Sequence, residues 1–569
     1  MKNTISLLSL LSLTIISFSQ NYDVNRYRKA ILPATSVTAD VLYGEAPVWT
    51  VPYNNQDLLL DITIPTNDNN PNRPLIIMAH AGGFLNGAKD VDNMVAMCDS
   101  FAQKGYVTAS IGYRKGFNPT SGGSSERAVY RGIQDGKTAI RYFKTNHAMY
   151  DIDTNYIFFG GMSAGAFIAL HVGYMDKESE RPASTYSSFL VNDLGCLDCG
   201  DHQATATSKP FAILDFWGAM QDTSLIEPNG PPIQMMHGRN DPTVPFVYGH
   251  PFGAPTVPNV YGDSIIKLRI DAVGIFNEFT VSSGQLHMLD GSNNGTWNPV
   301  PNSFWSDTLI PQTTNFCYQL IKPNTTLISP QSTLLCVGDN STFEVSAGLT
   351  SASHYEWGFD NSNITTLTNN FENTISLEFT TAGTYTLKVI EYNQLLCAGD
   401  ELEFTIEVVD LPIADFSYLA NVGMVNFTNT ATNAVTYAWD FGDGATSIDQ
   451  NPSHDYLSNG DFTVTLVVTS VDGCVSETNT QTITIESLGI NENVVELKYI
   501  SPFSNELELR SSLPLNQISI YSMDGKLIYS DNSIDMTIVI NTAAWENGLY
   551  ILNFIDAKGI NQQRKLVKI

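Results

Sequence analysis

The chain changes rhythm partway along its length. Up to about residue 325, short apolar runs alternate with stretches whose apolar positions recur every three or four residues. Beyond it, only alternating Thr- and Val-rich runs remain, separated by Asn, Gly and Asp. The first pattern predicts strands joined by helices, hence a mostly parallel, doubly wound sheet; the second predicts antiparallel sandwiches. Leu58–Pro65 reads as an early strand. Leu75-Ile76-Ile77-Met78-Ala79 is apolar at every position, as in a parallel strand buried on both faces. Met94, Met97, Cys98 and Phe101 follow at helical spacing, which makes Cys98 core filling. Tyr106–Tyr113 predicts the next strand, 126–146 a helix, and Ile157-Phe158-Phe159 the strand after it. Phe211–Phe216 and Ile233–His237 extend the sheet. A closing helix is expected between Phe304 and Ile321, despite Pro311 within it.

Two interruptions stand out. The Ser/Asp/Gly-rich stretch 176–209 is long for a loop inside a compact domain, and the expectation is a cap or rim over a pocket. It holds Cys196-Leu197-Asp198-Cys199 with His202 close by. A zinc site would need a second ligand pair at matching spacing, and none is found, so a local disulfide, or two pairings elsewhere, is the better reading. The second interruption is an echo. Tyr355-Glu356-Trp357-Gly358-Phe359-Asp360 returns as Tyr437-Ala438-Trp439-Asp440-Phe441-Gly442-Asp443-Gly444, and Gly383–Val389 returns as Gly460–Leu466. A repeat of about 80 residues built of alternating strands predicts two Ig-like β-sandwich modules.

Charge and composition then narrow the function. Lys and Arg number 29 against 58 Asp and Glu, a net charge of -29, which repels nucleic acid and anionic membranes. At the N-terminus, Lys2 precedes an apolar run from Ile5 to Phe18, with Ser17-Phe18-Ser19 as a cleavage site before Gln20. This is the pattern of a secretory signal, and the run is shorter than the ~20 residues a membrane span needs. Export permits disulfides, and the seven cysteines leave at least one unpaired in the monomer. The expected organisation is an export signal at 1–19, an α/β catalytic domain at 20–325, sandwiches at 326–410 and 411–487, and a third β unit at 488–569.

The chemistry centres on Gly161-Met162-Ser163-Ala164-Gly165, between an apolar strand and an Ala/Leu-rich helix former. A sharp strand-to-helix turn of this kind lifts a serine hydroxyl off the end of a sheet. Acyl transfer at that hydroxyl needs a base, an acid to orient the base, and donors for the oxyanion. Asp241, in the turn after Pro232–His237, and His287, just past Phe279–Ser282, complete the chain order Ser, Asp, His. Asp215 and Asp222 are rivals for the acid. His237 precedes the acid and breaks the order; His250 and His202 lie in excursions. The donors come from Gly82 and Gly83 in His80-Ala81-Gly82-Gly83, with the Ala164 amide as a third, and His80 is expected to brace that loop. No metal and no organic cofactor is required.

On these residues, 50–322 resembles an α/β-hydrolase esterase or lipase of the H-G-G-G type, with Ala81 in place of the first glycine. The resemblance implies catalytic Ser163, Asp241 and His287 and an oxyanion hole of Gly82, Gly83 and Ala164. The second sandwich resembles a PKD domain, through Trp439–Gly444 and Asn451-Pro452-Ser453-His454-Asp455-Tyr456; the first departs from both motifs. By position a bridge could tie Cys336 to Cys397, leaving Cys474 as the candidate free thiol. Asp440 and Asp443 read as turn caps rather than calcium ligands. The C-terminal unit resembles type IX secretion sorting domains, by the spacing of its strands and by the basic ending Arg564–Ile569. It implies recognition by that secretion machinery and a secreted or surface location. The expected function is a secreted serine carboxylesterase or lipase acting on a small or polymer-linked ester. The alternatives are a feruloyl or acetyl esterase on polysaccharide, and a surface adhesion protein with an inactive hydrolase domain.

Overall fold

The computed structural model describes residues 22–486 and 496–569, apart from 189–190, 203–206, 285, 330–333, 347–352, 360–362, 369–370, 422, 535 and 557–558. The expected export signal lies outside the described residues. Two compact units are present, one ending at Val408 and one running from Val409.

The first unit is built on an eight-stranded sheet. Its strands are β1 (Thr35–Pro47), β2 (Asn55–Pro65), β3 (Arg73–Ala79), β4 (Val107–Ile111), β5 (Ile152–Met162), β6 (Ala212–Phe216), β7 (Ile233–Gly238) and β8 (Asn277–Ser282). They lie in the order β1-β2-β4-β3-β5-β6-β7-β8. The first two join antiparallel, and β4, β3, β5, β6, β7 and β8 run parallel. The unbroken apolar run of β3 has the predicted consequence. Leu75, Ile77 and Ala79 enter one core and Ile76 and Met78 the other, all fully buried. Helices α2 (Gly122–Thr145), α3 (Ala164–Tyr174) and α4 (Asp263–Val273) cover the first face; α1 (Asp92–Ala102) and α5 (Ile310–Ile321) cover the second. Each Leu or Ile so buried contributes roughly 1.5–3 kcal/mol. Cys98 is buried on α1, as its spacing predicts. Pro311 follows directly on a π turn at Trp305–Leu309, so the helix runs on past a residue that has no N–H to donate to the preceding turn. This is the α/β-hydrolase architecture.

Downstream, one four-stranded sheet contains Leu327–Ser329, Asn340–Val345, Thr374–Phe379 and Ile364–Thr366; a second contains Leu334–Cys336, Leu402–Val409, Gly383–Tyr392 and His354–Phe359. They enclose an apolar core around Trp357. This sandwich is fastened to the sheet domain. Leu395 and Cys397, in its 393–399 loop, are buried in the same apolar cluster as Tyr27, Phe158 and Tyr318 of the sheet domain. Carbonyls of the loop accept hydrogen bonds from the Tyr27 and Tyr318 hydroxyls (2.8 and 2.9 Å) and from the Asn70 amide (2.8 Å). Asn393 donates in return to the Ile321 carbonyl at 2.6 Å. Cys397 is therefore a free, buried thiol, which overturns the bridge from Cys336. The free cysteines are Cys98, Cys317 and Cys397, so Cys474 is not the odd one.

The second unit holds two further pairs of sheets. Phe416–Asn421, Met424–Asn429 and Ser453–Asp455 make a three-stranded sheet opposite a four-stranded one that includes Thr436–Asp440 and Gly460–Thr469. The sequence echo has a structural counterpart. The indole N–H of Trp357 donates to the Glu372 carbonyl and that of Trp439 to the Asp449 carbonyl, both at 2.9 Å. Asp440 and Asp443 accept from the amides of Gly442 and Ala445, at 2.8 and 3.0 Å, as turn caps do. From Leu497 onward a three- and a four-stranded sheet close over Leu507, Ile518, Leu552 and Phe554.

A chain ending at residue 325 should expose the pocket that Leu395 and Cys397 fill. Calorimetry is expected to place its melting temperature at least about 5 °C below that of a chain ending at Val409. Equal values would show that the loop adds nothing to the sheet domain.

Candidate active site

The elbow is shaped by two close approaches. Strand β5 ends at Met162 and α3 begins at Ala164, leaving Ser163 alone to reverse the chain at φ 53° and ψ −114°. Such a conformation costs about 1–3 kcal/mol for a residue with a Cβ, so its surroundings must hold it. They do: the Ser163 amide donates to the Phe216 carbonyl at 3.0 Å, while its own carbonyl accepts from Ala166 and Phe167. A Cβ on Gly161 would stand 2.2 Å from the Gly165 backbone, and one on Gly165 only 2.0 Å from the Ala79 carbonyl oxygen. Both glycines of the motif are thus required by packing between α3, β5 and β3.

At the same end of the sheet the other strands deliver their residues. His287, beyond β8, has Nε2 2.7 Å from the Ser163 Oγ and Nδ1 2.7 Å from Asp241 Oδ2. Asp241, beyond β7, also accepts the amides of Thr243 and Val244 on Oδ1, at 2.7 and 2.9 Å. Burial works against its charge, but hydrogen bonds from His237, His287 and Thr243 hold the carboxyl well below the usual carboxylate range. The rivals lie elsewhere. Asp222 caps a short 3₁₀ turn through the Ser224 amide, and Asp215 is buried beneath the sheet end.

The loop after β3 carries Gly82 at φ 130° and Gly83 at φ 58°. A Cβ on Gly82 would lie 2.2 Å from the Asn86 carbonyl oxygen. Ala81 buries its methyl in the core beneath α1. His80 braces the loop. It donates from Nδ1 to the Ala81 carbonyl at 2.6 Å, stacks on Tyr113 at 4.3 Å, and accepts the Tyr113 hydroxyl on its own carbonyl at 2.9 Å. Burial pushes its pKa down to about 4, so the ring is neutral. Ala164 opens α3, and its amide is among the first-turn donors that no carbonyl of the helix can accept.

Ser163 stands between two cavities. One is an apolar chamber of about 100 Å³, lined by residues that include Phe84, Val129, Ile133, Phe167, Val257 and Val260. The other is a more open cleft of about 520 Å³, lined by Asn86, Thr243, His287, Ser292, Asn293 and Asn294 among others. Phe252 lines both, its ring tip 3.0 Å from where a Gly83 Cβ would lie. Phe252 belongs to the Pro/Gly-rich excursion after β7, in which His250 donates from Nδ1 to the Val257 carbonyl at 2.6 Å. That excursion, rather than 176–209, walls the chamber. The 176–209 segment contributes Pro182 there and otherwise lies along α2, through bonds of Arg127 to Asn192 and of Gln134 to Leu194 and Cys196. Its Cys196 and Cys199 form a disulfide, and no metal-binding group of three or more His, Cys, Asp or Glu is found among the described residues.

Two features escaped the sequence reading. Phe252 has no motif around it. His237 was set aside because of its place in the chain, yet the fold puts it against the acid: its Nε2 is 3.4 Å from Asp241 Oδ2 and its Nδ1 2.9 Å from Asp263 Oδ2. Burial opposes protonation of His237, but the two carboxylates outweigh it and raise its pKa to about 9.

Comparisons with known proteins agree with this layout. The BD-FAE family model matches residues 60–252, the PKD domain model residues 410–485, and the secretion system C-terminal sorting domain model residues 499–569. Among curated proteins, the chain is 32% identical to phenmedipham hydrolase of Pseudarthrobacter oxydans over 117 residues, 20% of this chain and 23% of that one. It is 41% identical to a microbial collagenase of Vibrio alginolyticus over 69 residues, 12% of this chain and 8% of that one. The chain thus spans less than a quarter of the length of these relatives. Among solved structures, the apo form of Thermogutta terrifontis esterase 2 aligns at 19% identity and a TM-score of 0.34, covering 51% of this chain and 94% of that one. A truncated carbohydrate esterase from gut microbiota aligns at 18% identity and a TM-score of 0.33, covering 50% and 96%.

Two predictions follow from the packing and the charges. Gly165→Ala should drive a methyl into the Ala79 carbonyl and destabilise the sheet domain by more than about 3 kcal/mol, read as lost soluble yield or a lowered urea midpoint. The folded pKa of His237 lies above its value of 6.5 in the unfolded chain, so its stabilisation is complete below pH 6.5 and is lost as pH rises through about 9. Urea unfolding is expected to show a decline of roughly 3 kcal/mol across that window, absent in a His237→Gln chain.

Proposed function

We propose that this exported chain, an esterase-type α/β-hydrolase with a PKD domain and a type IX secretion sorting domain, is a serine hydrolase of carboxylic esters. The observation that carries the reading is the unbroken hydrogen-bonded chain from Ser163 through His287 to Asp241, at the mouth of both cavities. Ser163 Oγ attacks the ester carbonyl as its proton passes to His287 Nε2. Asp241 fixes the tautomer that leaves Nε2 free to accept, and stabilises the imidazolium that forms. The amides of Gly82, Gly83 and Ala164 receive the oxyanion, each donor lowering the barrier by about 3 kcal/mol. His287 returns the proton to the departing alcohol, and water then releases the acyl group by the same route.

The lining of the two cavities supports a placement for each half of the ester. The alcohol must leave beside the group that protonates it, and His287 lines the open cleft but not the chamber. The acyl group therefore occupies the chamber, whose volume of about 100 Å³ suits a short chain. Asn86, Thr243, Asn293 and Asn294 offer hydrogen bonds to a polar alcohol. This favours a short acyl ester on a hydroxyl-rich partner, such as an acetylated polysaccharide, over a triglyceride. The sorting domain hands the chain to the type IX machinery and so places the enzyme at the cell surface or outside it.

Labelling with a fluorophosphonate should be stoichiometric in the full chain and absent in Ser163→Ala, with hydrolysis of p-nitrophenyl acetate falling about 10⁴-fold or more. Activity should drop steeply from acetyl to octanoyl esters and be negligible on a triglyceride emulsion. A chain that neither labels nor hydrolyses any of these esters would be a non-catalytic surface protein.

A further inference from the structure

The charged groups behind Asp241 form a second layer that the ester chemistry does not itself require. His237, at the end of β7, is completely buried. Its Nδ1 faces Asp263 Oδ2 at 2.9 Å, and its Nε2 faces the Val244 carbonyl oxygen at 3.2 Å and Asp241 Oδ2 at 3.4 Å. Every one of these partners is an acceptor. A neutral imidazole has one N–H, so one ring nitrogen would point its lone pair at an oxygen lone pair inside the protein. Only the doubly protonated ring satisfies both sides.

The carboxylates around it are arranged to keep that charge. Asp263 opens α4, and the neighbouring Asp215 ends its run on β6; both are fully buried. Asp263 Oδ1 has no hydrogen-bond partner as a bare carboxylate, and Asp215 has at most the Gly218 amide. A single proton shared by the two acids pairs one oxygen of each, and burial together with the charge of Asp263 raises the Asp215 pKa well above the usual range. The carboxyl groups of Asp263 and Asp241 flank His237 from two sides. The edge of the Phe246 ring meets it at 5.5 Å, and Arg239 lies on that ring, 5.8 Å from its centroid. His287 is reached only through Asp241.

We propose that His237 is a buried imidazolium acting as a positioning residue. It clamps the Asp241 carboxylate between itself and the Thr243 and Val244 amides, and its charge tempers the pull of the buried acids on His287. The catalytic consequence rests on the serine-esterase reading above. With His237 cationic and Asp215 and Asp263 sharing a proton, the buried set carries one net negative charge at rest and none once His287 takes the serine proton. Removing the cation leaves an excess negative charge beside His287, which makes its imidazolium harder to discharge.

The test is His237→Gln in the full chain, with active sites counted by fluorophosphonate labelling and kcat/KM of p-nitrophenyl acetate followed from pH 5 to 9. The variant is expected to label fully, to lose about tenfold or more in kcat/KM, and to shift the acidic limb upward by about one pH unit. Full labelling with an unmoved limb would overturn the proposal, because a merely structural histidine would lower stability and leave that limb in place. If the variant does not fold, nitrogen-15 spectra of histidine-labelled wild type decide. One imidazolium persisting at pH 8 supports the proposal, and a set of only neutral rings overturns it. Failure of the wild type to label at Ser163 would instead sink the esterase reading, and the same spectra would still report the charge of His237.

Discussion

The candidate site depends on how closely the first turn of α3 can approach the end of β3. The Gly165 backbone lies against the Ala79 carbonyl, and Gly161 lies against Gly165, at separations that leave no room for a side chain. That contact draws Ser163 to the end of the sheet, beside the glycine loop that follows Ala79. It also forces the serine into an unfavourable backbone conformation, which its bonds to Phe216, Ala166 and Phe167 sustain. The remaining parts are delivered by topology alone. Parallel strands end on the same side, so β7 and β8 bring Asp241 and His287 to the edge where β3 and β5 bring the glycine loop and the serine.

Much of this was legible in the sequence, for identifiable reasons. The elbow, the glycine loop and the order of Ser163, Asp241 and His287 are each written in residue type and position along the chain. The Leu75–Ala79 run announced a strand buried on both faces, and it is one. What escaped depends on contacts between segments far apart in the chain. Asp263 is unremarkable in sequence, and acquires meaning only when the start of α4 lands beside His237. His237 itself looked like a misplaced base, since chain order says nothing about which groups stand behind the acid. The cap was assigned to 176–209 on length, but side chains of α2 hold that segment along the helix, and a shorter aromatic-tipped excursion does the walling.

The same limit appears in the modules. The echo of Trp357 in Trp439 correctly indicated two sandwiches, and both indoles donate to a carbonyl across the fold. The echo could not say that one of the pair is bonded to the sheet domain through its 393–399 loop. Cys397 illustrates the point: its spacing within the repeat suggested a bridge, whereas its burial beside Tyr27 and Tyr318 leaves it a free thiol.

That loop has a bearing on how such chains diversify. Exported proteins are commonly elaborated by shuffling whole modules, which works only where a joint can be cut without wounding either neighbour. The joint at residue 325 is not of that kind, since Leu395 and Cys397 are buried in one apolar cluster with Tyr27, Phe158 and Tyr318 of the sheet domain. A cut at residue 325 would strip apolar cover from the sheet domain and from the first sandwich alike.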